Sequence, residues 1–470
     1  MTDNKENISS KNGEVGINDD SHAPLAREDR PVKWYRSTFY NALILGLCNF
    51  LAPGIWGAMN SLGGGGEEKP YVVNAANGAT FSLMVVSCFL GSTVVRYIGI
   101  KWTMIAGTMG YAVYAAGLYT NNRYGESWLI IFGAVLCGIS AGLFWMAEGA
   151  IALAYPEPYN QGRFLGFWLS FRVGGQILGG AISLGINSKR STAGSLSYVV
   201  YIIFIVLQAL GPFAGLLLSS PSKVQRKDGL PVRLQISNSA WFEIKQNAKL
   251  FVSKKFLLIV PFISQAVYTE AVMFSYEGLW LSVRGRALGS FLSGVVALIA
   301  GNIFGLFLDS KSISLKTRTR GGFIFVVTWQ GMCSIWATVN TTEFQRTKPL
   351  YDWVDPGFGR TFALFLFWVV SFQVNYMFMF FLVGTLADTE EEIVRIAGLL
   401  RGTESASQAV SYGLSSIAIM ASVGSVYLNF GLWAIAILPA WLVVRQVGSV
   451  FGDKKIDRET RGVSDVSDHE

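Results

Sequence analysis

Charge is what this sequence has least of. Only 15% of its 470 residues are Asp, Glu, Lys or Arg, where a soluble chain carries roughly 25%. That deficit excludes a string of soluble domains and, with it, a soluble enzyme. Histidine is scarcer still. His22 and His469 both lie in polar terminal stretches, so no imidazole serves a proton relay, a catalytic triad or a metal cage in the apolar region. No metal, no cofactor and no enzymatic activity are expected. Cys48, Cys88, Cys137 and Cys333 sit inside apolar blocks without a Cys-x-x-Cys pair. They read as small core residues, not as a disulfide framework. Gly63 to Gly66 are not followed by the Lys-Ser/Thr pair of a phosphate loop, and read as a flexible loop.

What the chain has instead is long apolar runs. Trp128 to Leu153 holds a single charge, Glu148. Runs of 18 or more apolar residues read as transmembrane helices. Twelve blocks of this kind occur, at 37–60, 74–97, 102–120, 128–153, 163–186, 197–219, 256–277, 287–309, 321–340, 361–386, 395–420 and 426–448. The expected fold is an all-α polytopic membrane protein whose first partner is the lipid bilayer. Its expected units are a disordered cytosolic tail 1–36, a six-helix bundle 37–219, a cytosolic linker 220–255, a second six-helix bundle 256–448 and a tail 449–470.

Connections on the N-terminal side of these blocks hold 25 Lys and Arg, and those on the other side hold 9. The bias places both termini in the cytosol. It also accounts for the net charge of +7, so nucleic acid is not an expected partner. In the linker, Trp241, Ile244, Ala248 and Phe251 recur at helical spacing, which predicts an amphipathic helix on the membrane surface.

Away from the block ends, five charges fall inside the apolar blocks: Glu148, Arg172, Glu270, Arg401 and Glu404. Each costs about 2.5–3.5 kcal/mol at a helix centre, so five unpaired charges would cost on the order of 12–17 kcal/mol. They must face the interior, pair, or lose charge. Arg401 and Glu404 are three apart on one helix and are expected to pair. Three acids against two bases leave at least one carboxyl uncompensated, to be protonated or to hold a cation. Glu148 and Glu270 are the expected coupling residues. Gln176, Gln408, Asn49 and Trp145 complete the candidate substrate site, although buried amides also serve as interhelical packing. Pro53-Gly54 is expected to break or kink the first helix. Gly138, Gly142, Gly175 and Gly179 are expected to let helices approach closely. Asn340-Thr-Thr342 forms a sequon at the end of the ninth block.

The two halves share a trace of repetition. Arg163-Phe-Leu-Gly166 stands against Arg395-Ile-Ala-Gly398, Arg172 against Glu404 and Gln176 against Gln408, each offset by 232 residues. Two six-helix halves joined by an inner loop resemble the major facilitator superfamily, although the Gly91–Lys101 segment lacks the acid often found there. Three segments carry a finer resemblance: Pro53-Gly-Ile-Trp56-Gly-Ala-Met-Asn60, Trp145-Met-Ala-Glu148-Gly149, and Asn160-Gln-Gly-Arg163-Phe-Leu-Gly166-Phe-Trp168. Together they resemble the Unc-93-like family, most of all its fungal branch. The resemblance implies a facilitator fold in which helices one, four, seven and ten line a central cavity. It also implies that Glu148 and Arg172 lie on neighbouring helices, close enough to pair. The expectation is a carrier of an unidentified small solute or ion, working by alternating access. Some relatives are regulators of potassium channels or trafficking escorts, so the alternative is a non-transporting protein with a membrane-protein partner.

Overall fold

The computed structural model describes residues 32–67, 69–156, 161–192, 194–227, 232, 240–310, 312–387 and 390–451. The expected tails therefore lie largely outside the described residues, as do 228–231 and 233–239 of the linker. Among the described residues the chain is helical throughout, with only isolated β-bridges. Among the described residues, nine helices are long and apolar enough to cross a membrane. They are α1 Thr38–Asn60, α2 Tyr71–Ile98, α4 Trp128–Ala154, α6 Tyr198–Leu216, α7 Lys254–Trp280, α8 Val283–Asp309, α9 Leu315–Thr347, α10 Phe358–Thr385 and α12 Met420–Val444. Three further long helices alternate with them: α3 Ile100–Tyr124, α5 Gln161–Asn187 and α11 Glu390–Ser415. A shorter helix, Ala240–Phe251, precedes α7 and leaves Trp241, Ile244 and Phe251 exposed.

In hydrocarbon, apolar surface gives helices no reason to prefer one another over lipid, so close van der Waals contact decides the packing. Glycine supplies that contact here. A Cβ on Gly110 of α3 would lie 2.4 Å from the Leu136 carbonyl of α4, and one on Gly117 would lie 2.5 Å from the Cα of Ile130. Gly138 and Gly142 of α4 meet Thr80 and Ser87 of α2 in the same way, and Gly175 and Gly179 of α5 meet Phe50 and Ala58 of α1. The small-residue expectation thus acquires named partners. Two further packings join the N-terminal run α1–α6 to the C-terminal run α7–α12: α2 against α11 and α5 against α8. Gly78 abuts Gly413 in the first, and Gly180 abuts Phe291 in the second.

Three expectations are sharpened. Pro53 does not break α1; the helix continues through a π-helical segment, Phe50–Gly54. A wide turn accommodates a residue that cannot donate its backbone hydrogen bond. The end of α9 is Thr347, beyond 340, so Asn340 lies inside the helix. It is fully buried and donates from Nδ2 to the Tyr276 hydroxyl at 3.2 Å, which closes the sequon to modification. The start of α11 is Glu390, five residues before the first apolar block residue. Acidic residues in a first turn suit the positive end of the helix, and Glu392 pairs with Lys255 at 2.5 Å.

Gly110→Ala tests the packing argument. The added methyl has no room against Leu136, so overpacking is expected to cost about 1–3 kcal/mol and lower the apparent melting temperature in detergent. Gly149 has nothing within 4 Å of a Cβ. Gly149→Ala should therefore leave the melt unchanged or raise it, because alanine is the better helix former.

Candidate functional site

The centre of the site is one indole ring. Trp145 on α4 lies under two guanidinium groups, with the Arg172 carbon 5.2 Å and the Arg401 carbon 4.7 Å from its centroid. Arg172 comes from α5 and Arg401 from α11, so the ring joins the two runs of helices. Arg401 also lies 5.0 Å from the Phe380 ring, and donates to the Tyr376 hydroxyl at 2.5 Å and to Glu404 Oε2 at 3.1 Å. Glu270 on α7 accepts from Gln408 Nε2 of α11. Trp145, Arg172, Glu270, Arg401, Glu404 and Gln408 all line one cavity. The space open to the centres of water-sized spheres is only about 60 Å³, room for a few waters or a small ion rather than a large solute.

Five of the expected site residues thus meet, together with Arg401. Glu148 lies one turn along α4 from Trp145, 1% exposed, with Oε1 lacking a hydrogen-bond partner. Its electrostatic partners are Arg401 first and Arg172 second. The expected Glu148–Arg172 ion pair is not formed; Arg172 lies over Trp145 instead. The expected Arg401–Glu404 pair is formed. Gln176 lies outside the cavity lining and donates to Ser293 of α8 at 3.2 Å. Asn49 is fully buried in α1, also outside the lining, and both polar atoms of its amide lack a partner. Gln265, Thr269, Gln330, Ser371 and Asn375 hydrogen-bond to one another between α7, α9 and α10, which is the packing role open to buried amides.

A second charged cluster was missed by sequence reasoning. It lies at the end of the helices remote from residues 34 and 451, where hydrogen bonds joining the two runs gather into a distal seal. Ser61 and Ser290 face each other at 2.9 Å, and Asn74 donates to Ser275 and to the Ser415 carbonyl. Gly63, at φ 69°, has its backbone against Gly278, where a Cβ would lie 2.5 Å from the amide nitrogen. The glycine run expected to be flexible is a packed turn. Arg286 of α8, 2% exposed, donates to the Glu67 carbonyl at 2.8 Å and to the carbonyls of Gly63 and Gly194. The buried carboxyls of Glu67 and Glu277 flank it. Burial pushes Glu67 up from its ordinary 4.5 to about 8, against the pull of Arg286 and the Tyr201 hydroxyl. The available signal was Glu277 itself, a carboxylate within an otherwise apolar helix end.

The fold is that of multi-pass helical membrane transporters. A POT family transporter in complex with 5-aminolevulinic acid has a TM-score of 0.60 at 11% identity, covering 87% of this chain and 96% of its own. A xylose transporter from E. coli, in a partially occluded inward-open conformation, has a TM-score of 0.58 at 13% identity, covering 86% and 97%. The sequence profile of the family described as "Ion channel regulatory protein UNC-93" matches residues 73–348. Notoamide biosynthesis cluster protein O' of Aspergillus versicolor is 38% identical over 423 residues, 90% of this chain and 92% of its own. UNC93-like protein 1 of Arabidopsis thaliana is 30% identical over 404 residues, 81% and 84% of the two chains. The chain belongs to the UNC-93 family. Family and fold point to a membrane transporter or regulator and not to an enzyme.

If Trp145 is the shared platform, Trp145→Leu should remove about 0.5–2 kcal/mol for each desolvated cation–π contact. In thermal unfolding, Arg172→Gln and Arg401→Gln should each lose less stability in the Trp145→Leu background than in the parent. Strictly additive effects would show that the ring couples neither guanidinium.

Proposed function

We propose that this protein is a secondary carrier of the major facilitator type, moving a small solute or ion across a membrane by alternating access. In this reading α1–α12 are twelve spans in two pseudo-symmetric six-helix bundles, 37–219 and 256–448, with linker 220–255 and both termini cytosolic. One observation carries the proposal: charges from both runs of helices converge on a single cavity beside Trp145. Intramembrane ionisable side chains mark solute pathways and proton relays, and facilitator-type sites lie between the two repeats. The distal seal supports a shape shut at one end. A relative named for a biosynthesis cluster supports a small organic cargo.

In this reading Arg172, Glu404, Gln408 and Trp145 contact the cargo. Glu148 and Glu270 carry the coupling proton or cation, and Gln176 and Asn49 adjust as the helices move. A carboxyl that must change its proton during each cycle makes transport depend on pH. A side-chain amide at the same place removes that dependence.

A second reading has one specific observation behind it. The family is described by channel regulation, which supports a non-transporting role with a membrane-protein partner.

A thermal-shift screen of the purified protein against amino acids, sugars, nucleobases, lipids and metal cations at two pH values separates the two. A bound cargo raises the apparent melting temperature by mass action. The carrier reading expects a hit that is lost in Arg172→Ala. It also expects that Glu148→Gln with Glu270→Gln removes the pH dependence of uptake of that compound. An uptake profile unchanged in the double variant sinks the coupling assignment. A copurifying membrane protein whose binding depends on these charges, with no solute binding, moves the assignment to a regulator.

A further inference from the structure

The distal cluster is separate from the central cavity, and the carrier mechanism above does not use it. Three elements bring it together. Glu67 lies in the turn after α1, Glu277 near the end of α7 and Arg286 in the first turn of α8. All three are less than a tenth exposed. Arg286 spends its Nη groups on the three carbonyls of Gly63, Glu67 and Gly194. These belong to the N-terminal run, so its contacts bridge the two runs. Both carboxyls are short of donors: Glu67 Oε1 and both oxygens of Glu277 lack a hydrogen-bond partner, and Glu67 has only the Tyr201 hydroxyl beside it. Glu277 packs against α8 at Gly289, where a Cβ would lie 1.9 Å from Oε1.

A carboxylate removed from water without hydrogen-bond donors is costly, and breaking the balance of a buried pair is costlier still. Among the described residues, two carboxyl groups beside one guanidinium carry one negative charge too many for a sealed place, and the other titratable groups facing them do not supply the missing positive charge. Tyr201 of α6 and Tyr114 of α3 are neutral phenols beside Glu67. Arg284 is engaged with Asp352, which it holds down to about 2.

We infer that the distal seal is a second proton site, in which Arg286 is shared between Glu67 and Glu277 and one of the two carboxyls carries a proton while the seal is shut. Opening lets water reach the cluster and releases that proton to bulk. The elevated value of about 8 for Glu67 in the shut state gives the sign. A group that holds its proton more tightly when shut favours the shut state at low pH. The advantage declines as pH rises from the ordinary 4.5 toward about 8, and no further change is expected above that. The inference does not depend on what the central cavity carries or on whether anything is carried.

Thiol labelling of the detergent-purified full chain tests it. Ser61 is fully buried in the seal and Ser191 is exposed nearby. With the parent's own background subtracted, the ratio of maleimide labelling in Ser61→Cys to that in Ser191→Cys reports opening and cancels the reagent's own pH dependence. The expected ratio is low at about pH 5.5 and several-fold higher at about pH 8.5, on either side of the Glu67 value. Adding Glu277→Gln or Glu67→Gln leaves one carboxyl for one guanidinium, so the ratio should stay low at both pH values. Adding Arg286→Met should raise it at both, with thermal melts confirming that each variant is folded. A parent ratio that does not change with pH overturns the inference, as does a pH rise that survives in both glutamine variants.

Discussion

Charge in hydrocarbon is tolerable only when something other than water compensates it, and the rest of this structure is arranged around that constraint. The compensation at the centre is unusual in its economy, because one indole ring serves two guanidinium groups. The ring's quadrupole attracts each cation, while two cations on one ring repel. The repulsion is sustainable only with carboxylates nearby, and Glu404, Glu270 and Glu148 are the ones the fold supplies. Because Arg172 comes from α5 and Arg401 from α11, this balance spans both runs of helices. Any relative movement of the runs must change it.

The same logic applies at the distal seal, and α7 connects the two places. Glu270 lines the cavity and Glu277 sits in the seal. They are seven residues apart, which on a continuous helix puts them on one face about 10 Å apart. A continuous helix transmits displacement along its length, so the two acidic positions cannot move independently. α1 makes a parallel connection, from Pro53 and Trp56 at the cavity to Gly63 in the seal. Its π-helical segment Phe50–Gly54 is a natural place for such a helix to flex.

The helices were legible in the sequence because hydrocarbon enforces long apolar runs, and those runs show in the residue order with or without neighbours. The family was legible in Trp145-x-x-Glu148-Gly149 and the glycine-rich end of α1. The central site was legible in part, for the same reason that charge is rare there: Arg172, Glu270 and Glu404 stand out against an apolar background. Of their partners only Arg401, three residues before Glu404 on the same helix, was legible too. Pairing Glu148 with Arg172 rested on the neighbouring helices that the resemblance implies, whereas the partner of Arg172 is a π face, which carries no charge to flag it. Asn49 and Gln176 were read as site residues because amides in apolar helices look alike from the sequence, whether they face a cavity or a neighbouring helix. The distal cluster stayed hidden because Arg286 looks like a loop cation and Glu67 a loop acid. Only the tertiary closure of Gly63 on Gly278 buries them.

The charges themselves bear on which role suits this member of the UNC-93 family. A buried ion pair is weak evidence for stability, since well-packed hydrophobic residues of similar volume often do as well or better. A protein that only had to hold a partner could be built with an apolar core throughout, with its recognition surface facing the bilayer or solvent. Here the costly groups face inward, the central ones around a space, and among the described residues the carboxyls outnumber the guanidiniums in both clusters. An imbalance of that sign can be relieved by taking up a proton or a cation, so occupancy and shape become linked. That linkage is what the proposed carrier reading asks of these charges.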